Sequence, residues 1–572
     1  MPRAGSERHA TMIIDARALG PINTLRAPIC VIGAGAAGTT LSLDLAAAGH
    51  DVLLLEAGGR RVVRSAQDSL RAAQGGDAGH DRLELVRQKR LGGTTMQWGG
   101  RCVPFDQHDF AARPHVPLSG WPIDRAELDA HYAKAHRYLR LGEYEYRASR
   151  VLDGPVALLG DEVGASEIVD DDRVWRWSPP VRFGETFFAR LTTSPRVRVL
   201  LHANVVELVQ SGQAVTAARV ALGDGRTVEV VADRFVVATG GLECARLLLA
   251  SNATTPAGLG NEGGMLGACY MTHPYSEIGR LAFTDPVRAR AAAFMRDIEG
   301  VYCRRLLALR PEVQRREGLL NMACALWYPD PVDPSHADPL LSAFVLTRWA
   351  MTRTHLDWRS QGVQRRYGAN PKLLRHLANV GRGAPSTLRF AAEWGRQRWF
   401  SDRAVPSFMV VPATGVMRLR FDAEQSPDPA NRVELARERD GFGMPRLQVH
   451  FRVSDGDRQS MIRSLELIAA EFRRTGTATL ALDDRRELLG RDLVDGTHQM
   501  GVTRMAATPR TGVVDGDCRV HGVPNLFVAS SSVFPTGGVA SPTLTIVALA
   551  IRLAATVSAS LRSPAGVGVG LT

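Results

Sequence analysis

The stretch GTHQMGVTRM, residues 496–505, sets one histidine, His498, among small and polar neighbours. An imidazole titrates near neutrality and can take a proton from a hydroxyl held within hydrogen-bond reach. The same side chain also serves as a metal ligand or as a strut bonded to backbone in a core. No companion ligands stand at a helpful spacing around His498, which argues against a metal. Which of the other two roles it fills depends on what the rest of the chain brings beside it.

The most legible element is near the amino terminus. APICVIGAGAAGTTLSLDLAAAGHDVLLLEAGG opens with an apolar run, Ile29 to Ile32, of the type that forms a central parallel strand. It turns through Gly33, Gly35, Ala36 and Gly38 into an alanine-rich helix, then reaches a second strand, Asp51 to Leu55, that ends at Glu56. Gly33 permits the tight turn, Gly35 lets backbone approach a pyrophosphate, and Gly38 lets helix and strand close up. The helix N-terminus faces the phosphate charge. Glu56 stands where a carboxylate accepts hydrogen bonds from an adenosine ribose. Strand, helix, second strand and acid fall in order, which predicts dinucleotide binding; the fingerprint does not separate NAD from FAD. A second block, RLGGTTMQWGGRCVPFD at Arg90 to Asp106, packs paired glycines, hydroxyls and a tryptophan into a loop whose backbone can lie against a flat cofactor.

The chain has 572 residues, too long for one ordinary core, so two or more domains are expected. The formal charge is +11, but the lysines are only Lys89, Lys134 and Lys372, and the arginines are spread along the whole chain. No nucleic-acid-binding motif accompanies the charge, so no nucleic-acid partner is expected. Seven scattered cysteines without a CxxC pair indicate neither a disulfide framework nor a zinc site. The N-terminal residues lack a secretory apolar run, and a reducing cytoplasm fits best. Val539 to Leu561 is apolar but contains Pro542, hydroxyl residues and Arg552, which predicts a buried helix rather than a membrane span.

Four separated blocks together resemble the glucose-methanol-choline (GMC) oxidoreductases, flavoproteins that oxidise alcohols. They are the N-terminal fingerprint, RLGGTTMQWGG, VVATGGLECARLLLASN at Val236 to Asn252, and the long block from Thr497 to Ala554 that includes THQMGVTRM and GVASPTLTIVALAIRLA. The last block most resembles the branch with pyranose oxidases and bacterial sugar dehydrogenases. The resemblance implies an α/β fold. A Rossmann-like FAD-binding domain would be assembled from discontinuous segments at 25–115, 195–275 and 491–560. An α+β substrate domain with an antiparallel sheet would occupy 276–490.

The resemblance also assigns residues. His498 becomes the catalytic base that takes the hydroxyl proton of a secondary alcohol, a ring hydroxyl of a sugar or glycoside, while hydride passes to flavin N5. FAD contacts are implied for Gly33, Gly35, Ala36, Gly38 and Glu56; for Arg90, Gly93, Thr94, Thr95 and Gly99; and for Val205, Ala238, Thr239, Gly240, Ser532 and Thr543. The branch carries an asparagine partner for the histidine in the context NPTLT, where this chain reads SPTLT. Ser541 is therefore a second catalytic candidate, with a helix N-cap as its other reading. Some pyranose oxidases tether FAD through a histidine where this chain has Gln97, so noncovalent FAD is expected. His273 and His521 are expected to be structural.

Arginines and aromatics interleave over Leu346 to Phe400, which predicts solvated amphipathic helices covering the substrate domain. The expected partner is a small alcohol, with oxygen or a carrier as electron acceptor. A homo-oligomer or a small partner subunit stays open, as do non-redox, lyase-like chemistry and a silent flavin-binding subunit.

Overall fold

In the computed structural model, which describes residues 12–75, 80, 82–353, 372–484, 493 and 497–562, the apolar run at 29–32 ends strand β1 (Thr24–Ile32) and is buried. A run without polar alternation suits a strand covered on both faces, as parallel strands are. The chain turns at Gly33 into helix α1 (Ala36–Ala47) and returns in β2 (Val52–Glu56), every residue of which is buried. Gly33 has φ +104°, and a Cβ there would lie 2.5 Å from the Ala238 carbonyl oxygen, so the turn admits only glycine. A Cβ on Gly38 would lie 1.8 Å from the Gly33 oxygen; its lack of one lets α1 close onto the turn.

Around β1 the chain builds an eight-stranded sheet. β1 runs parallel between β2 and β3 (Thr227–Val237). Val197–Leu201 and Ile13–Asp15 extend the parallel run beyond β2, and Leu526–Val528 joins β3 from the far end of the chain. Asn204–Ser211 and Ala214–Ala221 finish the other edge antiparallel. Helix α2 (Thr543–Arg562) packs on α1 and on the helix Asp129–Leu139. By length and composition α2 could cross a membrane, but Leu544, Val547, Leu549, Ile551 and Val557 are buried inside the fold.

A second eight-stranded sheet is built from antiparallel pairs. Its order runs from Ala478–Ala481 through β4 (Tyr275–Phe283), β5 (Val416–Ala423), Met322–Trp327, Tyr302–Leu309 and Val169–Trp177 to Arg101–Cys102, with Met295–Arg296 paired to Tyr302–Leu309. The expected substrate segment of 276–490 needs correction on two counts. Val169–Trp177 and Arg101–Cys102 join its sheet from earlier in the chain. Arg432–Arg439 and Pro445–His450 leave it, pairing with each other and with Ala72–Gly75 in a separate three-stranded sheet. The reason is chemical. VDDDRVWRW hides its strand character because Asp171 is buried, accepting from the Leu158 and Gly164 amides at 2.8 and 2.7 Å and pairing with Arg305.

The basic stretch forms helices Pro339–Arg353, Leu373–Arg382 and Ala384–Trp399, which pack on one another beside buried Tyr328 and Leu341. Its centre, 354–371, lies outside the described residues. The outer face is less polar than the solvated helices expected, since Leu374, Leu388, Trp399 and Phe400 are exposed.

Candidate active site

The two large sheets meet along a cleft of about 710 Å³, toward the upper end of the roughly 300–1,000 Å³ typical of small-molecule sites. At one end β2 delivers Glu56. Its carboxylate accepts from the Gly58 amide at 2.8 Å and the Ala34 amide at 3.0 Å, so the acid is fixed in place. Burial raises its pKa, with those two bonds opposing. Beside it Asn204 donates to the Ala57 carbonyl at 3.3 Å and keeps a buried carbonyl oxygen without a partner, and Val205 lines the same end. Lys89, which the sequence reading passed over, also faces this cleft and donates to Ser69 Oγ at 2.7 Å.

The middle is bare backbone. The N-terminus of α1 opens here through Gly35 and Ala36, and a Cβ on Gly35 would meet open space. Gly93 lies against this turn, and Thr94, Thr95 and Gly99 line the same cleft, with Thr95 Oγ1 donating to the Gly92 carbonyl at 2.5 Å. Ala238, Thr239 and Gly240 close the wall after β3. Buried polar atoms without a protein partner, Gln88 Oε1 and Gln499 Nε2, belong to residues that line it. Bare glycine backbone at a helix N-terminus, an acid at the end of the second strand and orphaned hydrogen-bonding atoms are what an elongated dinucleotide needs, so the residues present fit FAD.

At the other end stand His498, Arg101, Tyr275, Ser541 and Thr543. His498 Nδ1 lies 2.8 Å from His273 Nδ1, with the rings edge to face at 84°. His273 is fully buried just before β4, and its Nε2 lies 3.0 Å from the Gly537 carbonyl oxygen. The structural role expected for His273 is therefore incomplete, since it bonds the base candidate directly. Burial lowers both histidines, His498 well below the ordinary value. For His498 the neighbouring His273 and Arg101 charges push the same way and Asp422 opposes.

Three expected contacts fall elsewhere among the described residues. Arg90 Nη2 donates to the Arg60 carbonyl at 2.6 Å and turns from the cleft. Ser532 is buried and accepts from Thr503 Oγ1 at 2.6 Å. Gly38 acts through packing behind the turn rather than as a lining residue. These contacts were implied by the resemblance of whole blocks, which fixes neither direction nor depth for each member. Ser541 does line the cleft, but its hydroxyl accepts from Arg101 Nε at 2.9 Å. His521 bonds the Ala506 carbonyl at 3.1 Å, a strut as expected.

Comparison with known proteins agrees with this geometry. A family model described as FAD binding domain matches residues 29–273, and one described as GMC oxidoreductase matches residues 427–550. The chain is 41% identical over 115 residues to C-glycoside 3-oxidase of Microbacterium trichothecenolyticum, covering 20% of this chain and 21% of that protein. It is 30% identical over 150 residues to paromamine 6'-oxidase of Streptomyces fradiae, covering 26% and 27%. The matched stretches thus span about a fifth to a quarter of these relatives. Among solved structures, an FAD-dependent oxidoreductase from Chaetomium thermophilum shares the fold, with a TM-score of 0.51 and 16% identity over 94% of this chain and 100% of that one.

Proposed function

We propose that the chain, which a GMC oxidoreductase model matches at residues 427–550 and an FAD-binding-domain model at residues 29–273, is an oxidoreductase of the GMC kind that oxidises a secondary alcohol, a ring hydroxyl of a sugar or glycoside, to the ketone. Bound FAD supplies the acceptor for the hydride that leaves the alcohol carbon. What this chain adds is a base whose protonation state is fixed in advance, and the observation that carries the reading is the chain of bonds behind His498.

A carbonyl oxygen only accepts, so His273 Nε2 must carry the proton it donates to Gly537. In a neutral ring that leaves His273 Nδ1 as an acceptor, and His498 Nδ1 donates to it. His498 Nε2 is then the bare nitrogen, and it has no hydrogen-bond partner among the described residues. These tautomers follow from the bonding network, since hydrogens are not observed. Burial favours the neutral form of His498, and in that form, aimed by His273, its Nε2 is able to accept a hydroxyl proton in the cleft. As it becomes charged, its Nδ1–H bond to His273 gains charge assistance, which steadies the imidazolium.

The substrate class is supported by the relatives, named for oxidation of a C-glycoside and of paromamine. The test is anaerobic mixing of the holoenzyme with sugars, glycosides and nonsugar alcohols while the visible flavin band is followed. Bleaching by a sugar or glycoside is expected. A flavin that no alcohol bleaches would remove the oxidative reading, and bleaching by simple diols alone would remove the sugar.

FAD is held here without a covalent bond. Gln97 faces the cleft and offers no nucleophile, and among the described lining residues there is no cysteine and His498 is the lone histidine. Acid precipitation is expected to leave all flavin in the supernatant. Colour that stays with the washed pellet would refute the assignment.

A further inference from the structure

The alcohol oxygen needs more than a base. As its proton passes to His498 Nε2, the O–H electron pair stays on oxygen, and a donor at that atom lowers the cost of the charge. Ser541 stands where the family branch has an amide, but its oxygen already accepts from Arg101 Nε. The guanidinium behind that bond is held on three sides. Nη1 donates to Asp422 Oδ2 at 2.6 Å, and the group lies 4.5 Å over the Trp175 ring. Nη2 has no hydrogen-bond partner among the described residues. Arg101 is 18% exposed, Asp422 only 4%, and Arg101 lines the cleft alongside His498 and Tyr275.

We propose that Arg101 is the oxyanion donor of this site, its guanidinium hydrogen-bonding the substrate oxygen that His498 deprotonates, with Ser541 and Asp422 as positioning residues that hold it. This deepens the oxidative reading and rests on it for the identity of that oxygen. The assignment follows from rigidity as well as place. A long arginine stem usually loses side-chain freedom on binding, whereas here two hydrogen bonds and an aromatic face fix the head beforehand. Serine alone cannot do the same work, because it is shorter than an amide and its oxygen is engaged. Arg101 lies in the block GGTTMQWGGR, where nothing in the sequence set it apart from the chain's many other arginines.

Acetate, whose carboxylate presents oxygen charge to the same donors, is the probe. It is titrated into the holoenzyme while the visible flavin spectrum is recorded, a signal that requires binding beside the chromophore. Wild type should show a saturable perturbation, weakened at least tenfold in Arg101→Ala. Because that change strands Asp422, Arg101→Ala combined with Asp422→Asn is measured too, and the same weakening is expected. Flavin reduction by the best alcohol should fall on the order of a hundredfold in Arg101→Ala and recover in part when guanidinium is added. No perturbation in wild type, or wild-type acetate affinity in both variants, overturns the proposal. If acetate binding depends on Arg101 while no alcohol bleaches wild type, the oxidative reading falls, and with it the oxyanion role, leaving Arg101 as an anion site only.

Discussion

His498→Ala should slow flavin reduction by the best alcohol on the order of a hundredfold or more while the flavin stays bound. The expectation rests on the division of labour in the cleft. Glu56, the glycine turn and the Gly93 to Gly99 loop carry cofactor recognition, and His498 is at the opposite end. The pH dependence gives a second reading of the same residue. Burial and the neighbouring positive charges lower its pKa, so the neutral, proton-accepting form persists below pH 6.5. The acid limb of kcat/KM should accordingly lie below the ordinary histidine range in wild type and disappear in the variant. Reduction at wild-type speed in the variant, or an acid limb at or above pH 6.5 in wild type, would withdraw the assignment.

The largest effect on stability is expected at Arg113. Its guanidinium meets Glu424 through bonds of 2.6 and 2.7 Å, with side-chain exposures of 1% and 0%. Burial pushes Glu424 toward protonation, and the Arg113 charge overcomes it to hold the acid ionised. Glu424 also accepts from the amides of Asn321 and Gly538. Arg113→Met strands a buried anion and should cost about 3–5 kcal/mol in urea unfolding. Adding Glu424→Gln removes the stranded charge while keeping an acceptor for the amides, so part of the loss should return. Equal loss in the single and double variants would show that the pair matters only through packing volume. Gly538 follows Gly537, whose carbonyl fixes the His273 tautomer, so the weakened protein should also reduce its flavin more slowly.

Local order made the cofactor end legible. Ile29 to Glu56 is one strand, turn, helix and strand, and each glycine's task follows from its neighbours in sequence. The catalytic end depends on residues that fold far apart in sequence. His273 and His498 are 225 positions apart, and neither block announces that their nitrogens face each other. The strand at Val169–Trp177 was hidden because Asp171 is satisfied by amides and an arginine that only folding brings near. Ser541 was noticed for a departure in type, but its partner Arg101 lies 440 residues away, so its function as a bracket had no signal in the local pattern.

The pairing of Leu526–Val528 with β3, and the seating of α2 against α1, bear on biogenesis. Chains emerge from the ribosome amino end first, so the glycine turn is made early and waits for walls encoded far downstream. Contacts spanning such separations form slowly because distant segments must be brought together first. Flavin loading should therefore be completed only once helix α2 has left the exit tunnel. Until then the nascent apolar strands at 29–32 and 52–56 are candidates for chaperone protection.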